Sequence, residues 1–237
     1  MKLSRRLETI AAMVPSCGCV ADVGTDHGFV PIRLLELLKA ERAIAMDVRR
    51  GPLKRAEEHI SQFGLGDRIE TRLSDGLLGL EPGEADVVVI AGMGGELMLR
   101  ILRDGEHVRD TVGCFILSPQ SELSLFRHGL EELGLAIMEE TMVEEDGKYY
   151  TVMAVKPGTM HYEEEYRYRY GDCLIRQGSA VLSEFLDREK TQYQAILAQL
   201  AGQSGEGAKA RYLELEKELH EIEEACHAMQ GTDRTAG

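Results

Sequence analysis

Along residues 1–157 the apolar positions alternate between two spacings. Short continuous apolar runs, typical of buried parallel strands, are followed by stretches in which apolar residues recur every three or four positions. The runs predict strands at 19–23, 43–46, 68–73, 85–91 and 114–117, and the stretches predict helices at 3–14, 31–39, 52–63, 96–103 and 121–133. We expect Ser121 to cap the last helix. Such alternation is typical of a parallel α/β sheet with helices on both faces.

Two further strand-like segments follow. Residues 135–144 and 149–155 flank Glu145-Asp146-Gly147, a sequence typical of a tight turn, and they predict a β-hairpin. A hairpin at this place adds an antiparallel edge to a parallel sheet. The expected architecture of residues 1–158 is therefore a seven-stranded, mostly parallel sheet.

The pattern changes to helices alone over residues 159–230. One apolar stripe runs from Leu182 to Leu200, and a second repeats at intervals of three and four from Tyr212 to Met229, which is typical of a coiled coil. A glycine-rich segment, 202–207, separates them and predicts a helical hairpin. The sequence leaves open whether this hairpin packs on the main domain or on another chain, so self-association is an open prediction. Residues 231–237 are expected to form a disordered tail.

Charge is distributed unevenly in a chain of otherwise ordinary globular composition, with 43% hydrophobic and 29% charged residues. The net charge of −14 argues against nucleic acid, but residues 1–60 hold ten Lys and Arg against eight Asp and Glu. We therefore expect a polyanion, if one binds, at the N-terminal third. Five scattered cysteines without a C-x-x-C pair indicate a cytoplasmic protein without a metal site. Neither a signal peptide nor a membrane helix is predicted.

The strongest chemical signal lies between the first strand and the next helix, in Asp22-Val23-Gly24-Thr25-Asp26-His27-Gly28. Its glycines let a ligand approach the backbone, and the following helix presents free N–H groups. Asp26 stands where a dinucleotide would place its pyrophosphate, and we expect a buried carboxylate there to repel phosphates. The positively charged sulfonium of S-adenosylmethionine suits this site better. The predicted cofactor contacts in this turn are Asp22, Gly24, Thr25, Asp26 and Gly28.

Three more turns follow successive strands and point to the same ligand. Asp47, with Val48 beside it, can accept hydrogen bonds from both ribose hydroxyls. Ser74-Asp75-Gly76 places a carboxylate where it can accept from an adenine amino group. Ala91-Gly92-Met93-Gly94 offers a low wall for a flat base. Because parallel strands end at one edge of a sheet, these turns together are far more specific than any one of them.

The chain resembles the TrmK family, the bacterial tRNA (adenine-22-N1)-methyltransferases. The turns above carry the resemblance, together with Leu3-Ser4-x-Arg6-Leu7, Gly51-Pro52 and Leu117-Ser118-Pro119-Gln120. Phe29 stands where the family usually has Tyr. The resemblance implies a Rossmann-like class I methyltransferase domain over 1–158, a coiled-coil-like second domain over 159–230, and S-adenosylmethionine as cofactor. It also implies tRNA as the substrate, methylated at N1 of adenine 22.

The resemblance also suggests roles for particular side chains. We expect Asp26 to stabilise the positive charge that methylation places on the adenine ring, and His27 to orient the base or accept a proton later. Candidate tRNA contacts are Arg5, Arg6, Phe29, Arg49, Arg50 and Gln120. Two alternatives stay open: a small-molecule methyltransferase on the same fold, and a nucleotide-binding module without catalytic activity.

Overall fold

A computed structural model describes residue 1 and residues 3–202 and 205–233. The chain forms two compact units, Met1–His161 and Tyr162–Gly237, so the division falls shortly after the expected position at 158. The final helix extends to Asp233, and the first residues of the predicted tail are therefore helical. The remainder of that tail, 234–237, lies outside the described residues.

The first unit alternates helices and strands as predicted. In chain order its elements are α1 (Arg5–Met13), β1 (Cys17–Val23), α2 (Phe29–Glu36), β2 (Ala40–Asp47), α3 (Arg50–Gln62), β3 (Ile69–Leu73), a 3₁₀ turn (Gly76–Gly79), β4 (Val87–Ala91), α4 (Gly95–Asp104), α5 (Glu106–Arg109), β5 (Cys114–Ser118), α6 (Leu123–Glu132), β6 (Leu135–Glu145) and β7 (Lys148–Pro157). Every predicted strand and helix is present, and the 3₁₀ turn and α5 are additions that the pattern did not indicate.

The seven strands form one sheet in the order β3-β2-β1-β4-β5-β7-β6. Strands β1 to β5 run parallel, whereas β7 is antiparallel to both β5 and β6. The strand order reverses between β1 and β4, and in open α/β sheets ligands bind beside such a reversal, at the carboxyl ends of the strands. The predicted seven-stranded, Rossmann-like architecture is therefore confirmed.

The core lies on both faces of the central strands, because β1, β4 and β5 are covered by helices on each side. Val20, Val89 and Ile116 are fully buried, and α1 contributes Ile10 to the same cluster. Burial of each such side chain stabilises the fold by about 1.5–3 kcal/mol. This continuous burial is why the strands read as unbroken apolar runs.

The expected cap of α6 is wrong. Glu122, not Ser121, occupies the N-cap position, and it adopts a left-handed conformation with φ 58°. Its carbonyl accepts a hydrogen bond from the Phe126 N–H at 2.8 Å. The Ser121 hydroxyl instead donates to the Glu122 carboxylate at 3.1 Å. Position alone suggested a serine cap, but the chain turns one residue later than the pattern indicated.

The second unit is helical throughout its described part. It consists of α7 (Glu165–Tyr170), α8 (Asp172–Arg176), α9 (Ala180–Leu200) and α10 (Glu206–Asp233). The two long predicted helices are α9 and α10, which pack on each other, and Leu186 of α9 and Ile222 of α10 are fully buried. α10 also contacts α7 and α8. None of the described helices combines the length and apolar character needed to cross a bilayer.

Candidate active site

The turn after β1 is shaped around Gly24. The N–H groups of Gly24 and Thr25 both donate to the Met46 carbonyl at 2.8 Å, which ties this turn to the end of β2. Gly24 has φ 85°, and a Cβ there would lie 2.2 Å from the Met93 methyl carbon. Only glycine fits both conditions. The turn after β1 and the turn after β4 therefore touch, as their positions on neighbouring strands predict.

Two carboxylates are buried at this edge of the sheet. Asp22 is 6% exposed and Asp47 is 7% exposed. Burial raises the pKa of Asp22 to about 6; the nearby Thr25 side chain opposes this shift, and the negative charge of Asp47 adds to it. Burying a carboxylate near a second negative charge is costly, because a buried charge is stable only beside a compensating group. The arrangement therefore favours a ligand that carries positive charge or donates hydrogen bonds.

Asp47 lies at the end of β2, where its side chain organises the next turn. One carboxylate oxygen accepts from the Arg49 N–H at 2.8 Å, and the guanidinium of Arg49 lies 3.8 Å away. The Asp47 carbonyl accepts from the Ser74 N–H at 3.0 Å, which joins the second turn to the third. A carboxylate has about four acceptor positions, so Asp47 keeps capacity for two hydroxyl donors. Val48 beside it is exposed.

The turn after β3 is built differently from its prediction. The Ser74 hydroxyl accepts from the Gly79 N–H and donates to the Gly76 carbonyl, so it closes the turn itself. Gly76 has φ 58°, and a Cβ there would meet the Ile101 side chain at 2.9 Å. The glycine is thus required by packing against α4. Asp75 stays exposed, 3.5 Å from the Arg100 guanidinium, and its carboxylate is available to a ligand.

Asp26 does not lie where the sequence argument placed it. Its side chain is 59% exposed and pairs with the Arg55 guanidinium of α3, so the expectation of a buried anion at this position is wrong. Arg55 also holds the pKa of Asp26 below its usual value. The His27 Nε2 lies 3.3 Å from the other Asp26 oxygen. The buried anions are Asp22 and Asp47 instead, and the argument against a pyrophosphate applies to them.

His27 belongs to a cluster of three stacked rings, with Phe29 and His59. Its ring stacks on Phe29 with centroids 5.1 Å apart, and His59 stacks on Phe29 at the same distance. A His59 ring nitrogen lies 2.9 Å from the His27 carbonyl oxygen. Gly28, with φ 70°, begins α2 and turns the chain between the rings. Arg55 and His59 are four residues apart on α3, a spacing that puts both on one helical face. That spacing was the missed signal for His59.

The turns after β4 and β5 hold each other in place. The Gly92 N–H donates to the Ser118 carbonyl, and the Gln120 N–H donates to the Met93 carbonyl at 2.9 Å. A Cβ on Gly94 would lie 3.1 Å from the Ser121 hydroxyl, so these turns approach closely. Ala91 pairs with Ser118 at the strand ends. The predicted wall therefore consists of two turns, the one after β4 and the one after β5. Only the turn after β4 was predicted to contact the cofactor.

The four arginines predicted to contact RNA divide into three groups. Arg5 is committed within the protein, because its guanidinium donates to the Glu144 carbonyl of β6. Arg49 and Arg50 are exposed at the start of α3. Arg6 lies over the Tyr150 ring of β7 at 5.1 Å, and Gly92 brings it close to Gln120. The partner Tyr150, 144 residues along the chain, had no signal in the sequence pattern.

Unsatisfied polar groups mark the same edge. Within the described part of the chain, the buried side-chain polar atoms without a hydrogen-bond partner are Arg6 Nη1, Thr25 Oγ1, His27 Nδ1, Ser118 Oγ and Thr151 Oγ1. Each belongs to a segment that reaches the carboxyl edge of the sheet or packs on it. Buried polar groups without partners are rare and often have a functional explanation. Among the described residues, no cluster of His, Cys, Asp or Glu is suited to a metal ion.

Comparison with known proteins agrees with this geometry. The family model of the methyltransferase domain matches residues 3–153. The tRNA (adenine(22)-N(1))-methyltransferase of Bacillus subtilis (strain 168) is 37% identical over 190 residues, which cover 80% of this chain and 77% of that protein.

Solved structures extend the likeness to almost the whole chain. A Streptococcus pneumoniae structure in complex with S-adenosyl-L-methionine superposes with a TM-score of 0.84 at 31% identity, covering 94% of this chain and 99% of that one. M. capricolum TrmK in complex with S-adenosyl-homocysteine superposes with a TM-score of 0.82 at 25% identity, covering 97% and 100%. With its domain match, its curated relative and its site at the sheet edge, this chain belongs to the TrmK family of methyltransferases.

Proposed function

We propose that this protein transfers a methyl group from S-adenosylmethionine to N1 of adenine 22 in tRNA. The observation that carries the proposal is the 37% identity to the Bacillus subtilis tRNA (adenine(22)-N(1))-methyltransferase over 80% of the chain. The methyltransferase family model, which matches residues 3–153, spans the turns that build the site. The rival reading as a small-molecule methyltransferase rests only on the net charge of −14, which is concentrated outside residues 1–60.

The residues present fit S-adenosylmethionine. Asp47 supplies a buried acceptor for the ribose hydroxyls, and Asp75 an exposed carboxylate for the adenine amino group. The turn at Gly24 offers backbone without a side chain, and the buried Thr25 side chain lies beside Asp22. Asp22 is a buried carboxylate that a positive charge nearby would stabilise in its ionised form. The remaining proposed contacts are Gly28, Val48, Ser74, Gly76, Ala91, Gly92, Met93 and Gly94.

When bound, S-adenosylmethionine supplies an electrophilic methyl group on a sulfonium. The protein does not need a strong base, because N1 of adenine carries a free lone pair at neutral pH. Methylation leaves positive charge on the adenine ring. Arg55 lowers the pKa of Asp26 and so favours its ionised form, and this carboxylate is our candidate for stabilising that charge. His27, stacked on Phe29, offers a flat surface and a ring nitrogen to orient the base.

N1 lies on the pairing edge of adenine, so the tRNA has to expose this edge before reaction. Unpairing or flipping of the nucleotide meets that requirement at the cost of a few kcal/mol. The stacked rings of His27, Phe29 and His59 give the exposed base a surface to stack on, and such stacking offsets part of the cost. The exposed Arg49 and Arg50 lie at the start of α3 and provide charges for the RNA backbone.

The test is a methylation assay with unmodified tRNA. We expect radiolabel from S-adenosylmethionine in the tRNA, with mass spectrometry placing 1-methyladenosine at position 22. A tRNA carrying guanine at position 22 should accept no label. Cofactor binding without methylation of tRNA would favour the non-catalytic reading. Labelling of a small molecule but not of tRNA would favour the small-molecule alternative.

A pair of variants tests the role of Asp26. Asp26→Asn should lower kcat by about 10–100-fold with little change in affinity for S-adenosylhomocysteine, because electrostatic stabilisation of developing charge is lost. Asp67→Asn is the matched control, since Asp67 is exposed before β3, at the opposite edge of the sheet. Full activity of Asp26→Asn would remove this assignment and leave the proposed reaction intact.

A further inference from the structure

Arg6 is held in place but not paired. Its guanidinium lies 5.1 Å above the Tyr150 ring, and its Nη1 is buried without a hydrogen-bond partner. Over the residues that the structure describes, no carboxylate forms an ion pair with it. Neighbouring Arg5 differs, because its guanidinium donates to the Glu144 carbonyl. A guanidinium is always charged and only donates, so a buried unpaired N–H on it is a costly feature that a ligand acceptor would relieve.

The unpaired nitrogen is directed toward the active-site edge. A Cβ on Gly92 would lie 3.7 Å from Arg6 Nη1 and 3.8 Å from the amide nitrogen of Gln120. Gly92 follows β4 and Gln120 follows β5, so helix α1 delivers Arg6 to the carboxyl ends of the two strands. Gly92 is exposed and has φ 79°. Because it has no side chain, nothing at Gly92 blocks the approach of a ligand to Arg6.

Two further unpartnered hydroxyls belong to the same corner of the fold. Ser118 is the last residue of β5, and its hydroxyl is buried. Leu117 of β5 pairs with Met153 of the antiparallel β7, so Thr151 lies beyond the end of β5 on its neighbour. The Thr151 hydroxyl is buried without a partner as well. The corner thus combines a fixed positive charge with hydroxyl donors, and within the described part of the chain no carboxylate forms an ion pair with that charge.

We propose that Arg6 binds an oxyanion of the substrate, a backbone phosphate next to the nucleotide that is methylated. This proposal rests on the proposed function and names a contact within it. Planar guanidinium groups bind phosphate oxygens through parallel hydrogen bonds, and the donor-only character of Arg6 excludes the adenine amino group as its partner. The Tyr150 ring fixes the guanidinium before RNA arrives, which reduces the conformational entropy lost on binding.

The test compares Arg6→Met with Arg5→Met in the full-length protein. We expect Arg6→Met to raise the Kd for unmodified tRNA by about 10–100-fold and to reduce the slope of log affinity against log salt concentration by about one. Affinity for S-adenosylhomocysteine, measured by calorimetry, should not change. Arg5→Met, on the same helix, should leave the salt slope unchanged because its guanidinium already donates to the protein.

Two other outcomes would overturn the proposal. A fall in S-adenosylhomocysteine affinity with unchanged tRNA affinity would assign Arg6 to the cofactor carboxylate. Unchanged tRNA affinity with a lower melting temperature would make Arg6 a structural anchor. If Arg6→Met fails to fold, Arg6→Lys keeps the charge and is expected to retain the salt slope while lowering affinity. Wild-type protein without tRNA methylation would refute the proposed function first, independently of either variant.

Discussion

Buried polar groups are treated in opposite ways at two places in this molecule. At the carboxyl edge of the sheet, Ser118 and Thr151 carry buried hydroxyls that have no hydrogen-bond partner among the described residues. Between α6 and β6, Arg127 and Glu140 are as deeply buried, but two Arg127 nitrogens donate to Glu140 Oε1 at 2.8 and 2.9 Å. The first arrangement lowers the free energy of unfolding and leaves polar groups available to a ligand. The second gives the charge on Glu140 a partner.

The helical unit resembles the second case. Arg169 donates to Glu218 at 2.7 Å, to Glu221 at 3.0 Å and to the Tyr193 hydroxyl at 3.2 Å. The Tyr170 hydroxyl in turn donates to Glu189. Chains of satisfied polar groups such as this specify how helices pack. The difference teaches that burial of a polar group does not by itself identify a site, whereas burial without a partner marks a candidate for one.

The largest effect is expected where a paired group is removed. Arg127→Met leaves the buried Glu140 carboxylate without its partner, and we expect a loss of about 3–5 kcal/mol in the free energy of unfolding. The double variant Arg127→Met/Glu140→Leu should recover most of that loss, because it removes both charges. Urea unfolding followed by far-UV circular dichroism measures both. Equal stability of the single and double variants would contradict the pairing argument.

Asp22 is the opposite case, a buried carboxylate held against another carboxylate. Its pKa is about 6 in the folded protein, above its ordinary value, so the folded state takes up a proton before the unfolded state as pH falls. Stability contributed by this proton uptake is present at low pH and is lost as pH rises from about 4 to about 6.

Asp22→Asn should therefore stabilise the cofactor-free protein by about 2–3 kcal/mol at pH 7.5, and this gain should vanish near pH 4. Glu140→Gln is the contrasting control. It removes a carboxylate that has a partner, so it should destabilise the protein at pH 7.5. Urea unfolding of both variants at several pH values gives the comparison. A gain for Asp22→Asn that did not depend on pH would show that its carboxylate is not the source.

The fold could be predicted because a strand that is buried on both faces of the sheet has a simple sequence pattern, a continuous apolar run. The central strands are continuous apolar runs, and each helix has an apolar stripe that covers them. Local backbone choices were harder. Glu122 adopts a left-handed conformation with φ 58° although it is not a glycine, so the residue type gives no sign of the turn. This is why the cap was expected at Ser121.

The site was predictable as a set of turns but not as a set of contacts. Turns that follow successive parallel strands meet at one edge, so Gly24 and Met93 could be placed together without coordinates. Contacts between side chains on distant elements depend on packing angles instead. Arg55 reaches Asp26 across 29 positions, and Tyr150 lies under Arg6 from the far end of the sheet. This is why Asp26 was expected to be buried and is in fact exposed.

A smaller effect is expected in the helical unit. Arg169→Met removes three hydrogen bonds and leaves two carboxylates facing each other, but Arg169 is partly exposed, so water replaces some of the loss. We expect a destabilisation of about 1–2 kcal/mol. Arg211→Ala, which breaks an exposed pair with Glu214, should have no measurable effect on unfolding. A larger loss for Arg211→Ala than for Arg169→Met would contradict the distinction between the two.

The smallest effect is expected where a partnerless hydroxyl is removed, and its sign is opposite to that of the effects above. Thr151→Val keeps the shape of the side chain and deletes a buried oxygen that bonds to nothing in the described protein, so the free energy of unfolding should rise by about 1 kcal/mol as the desolvation cost of that oxygen disappears. Thr111→Val is the matched control, because the Thr111 hydroxyl donates to the Val108 carbonyl and accepts from the Gly83 N–H. That control should cost about 1 kcal/mol and leave activity unchanged.

Activity should show the reverse order. If the Thr151 hydroxyl is kept for the substrate, Thr151→Val should lower kcat/KM for tRNA by about tenfold, the effect of one hydrogen bond of roughly 1.4 kcal/mol. Thr111→Val should match the wild type in the same assay. A Thr151→Val enzyme with unchanged kcat/KM would show that the buried, partnerless Thr151 hydroxyl does not contact the substrate. The comparison between the two kinds of buried polar group would then hold for the fold alone.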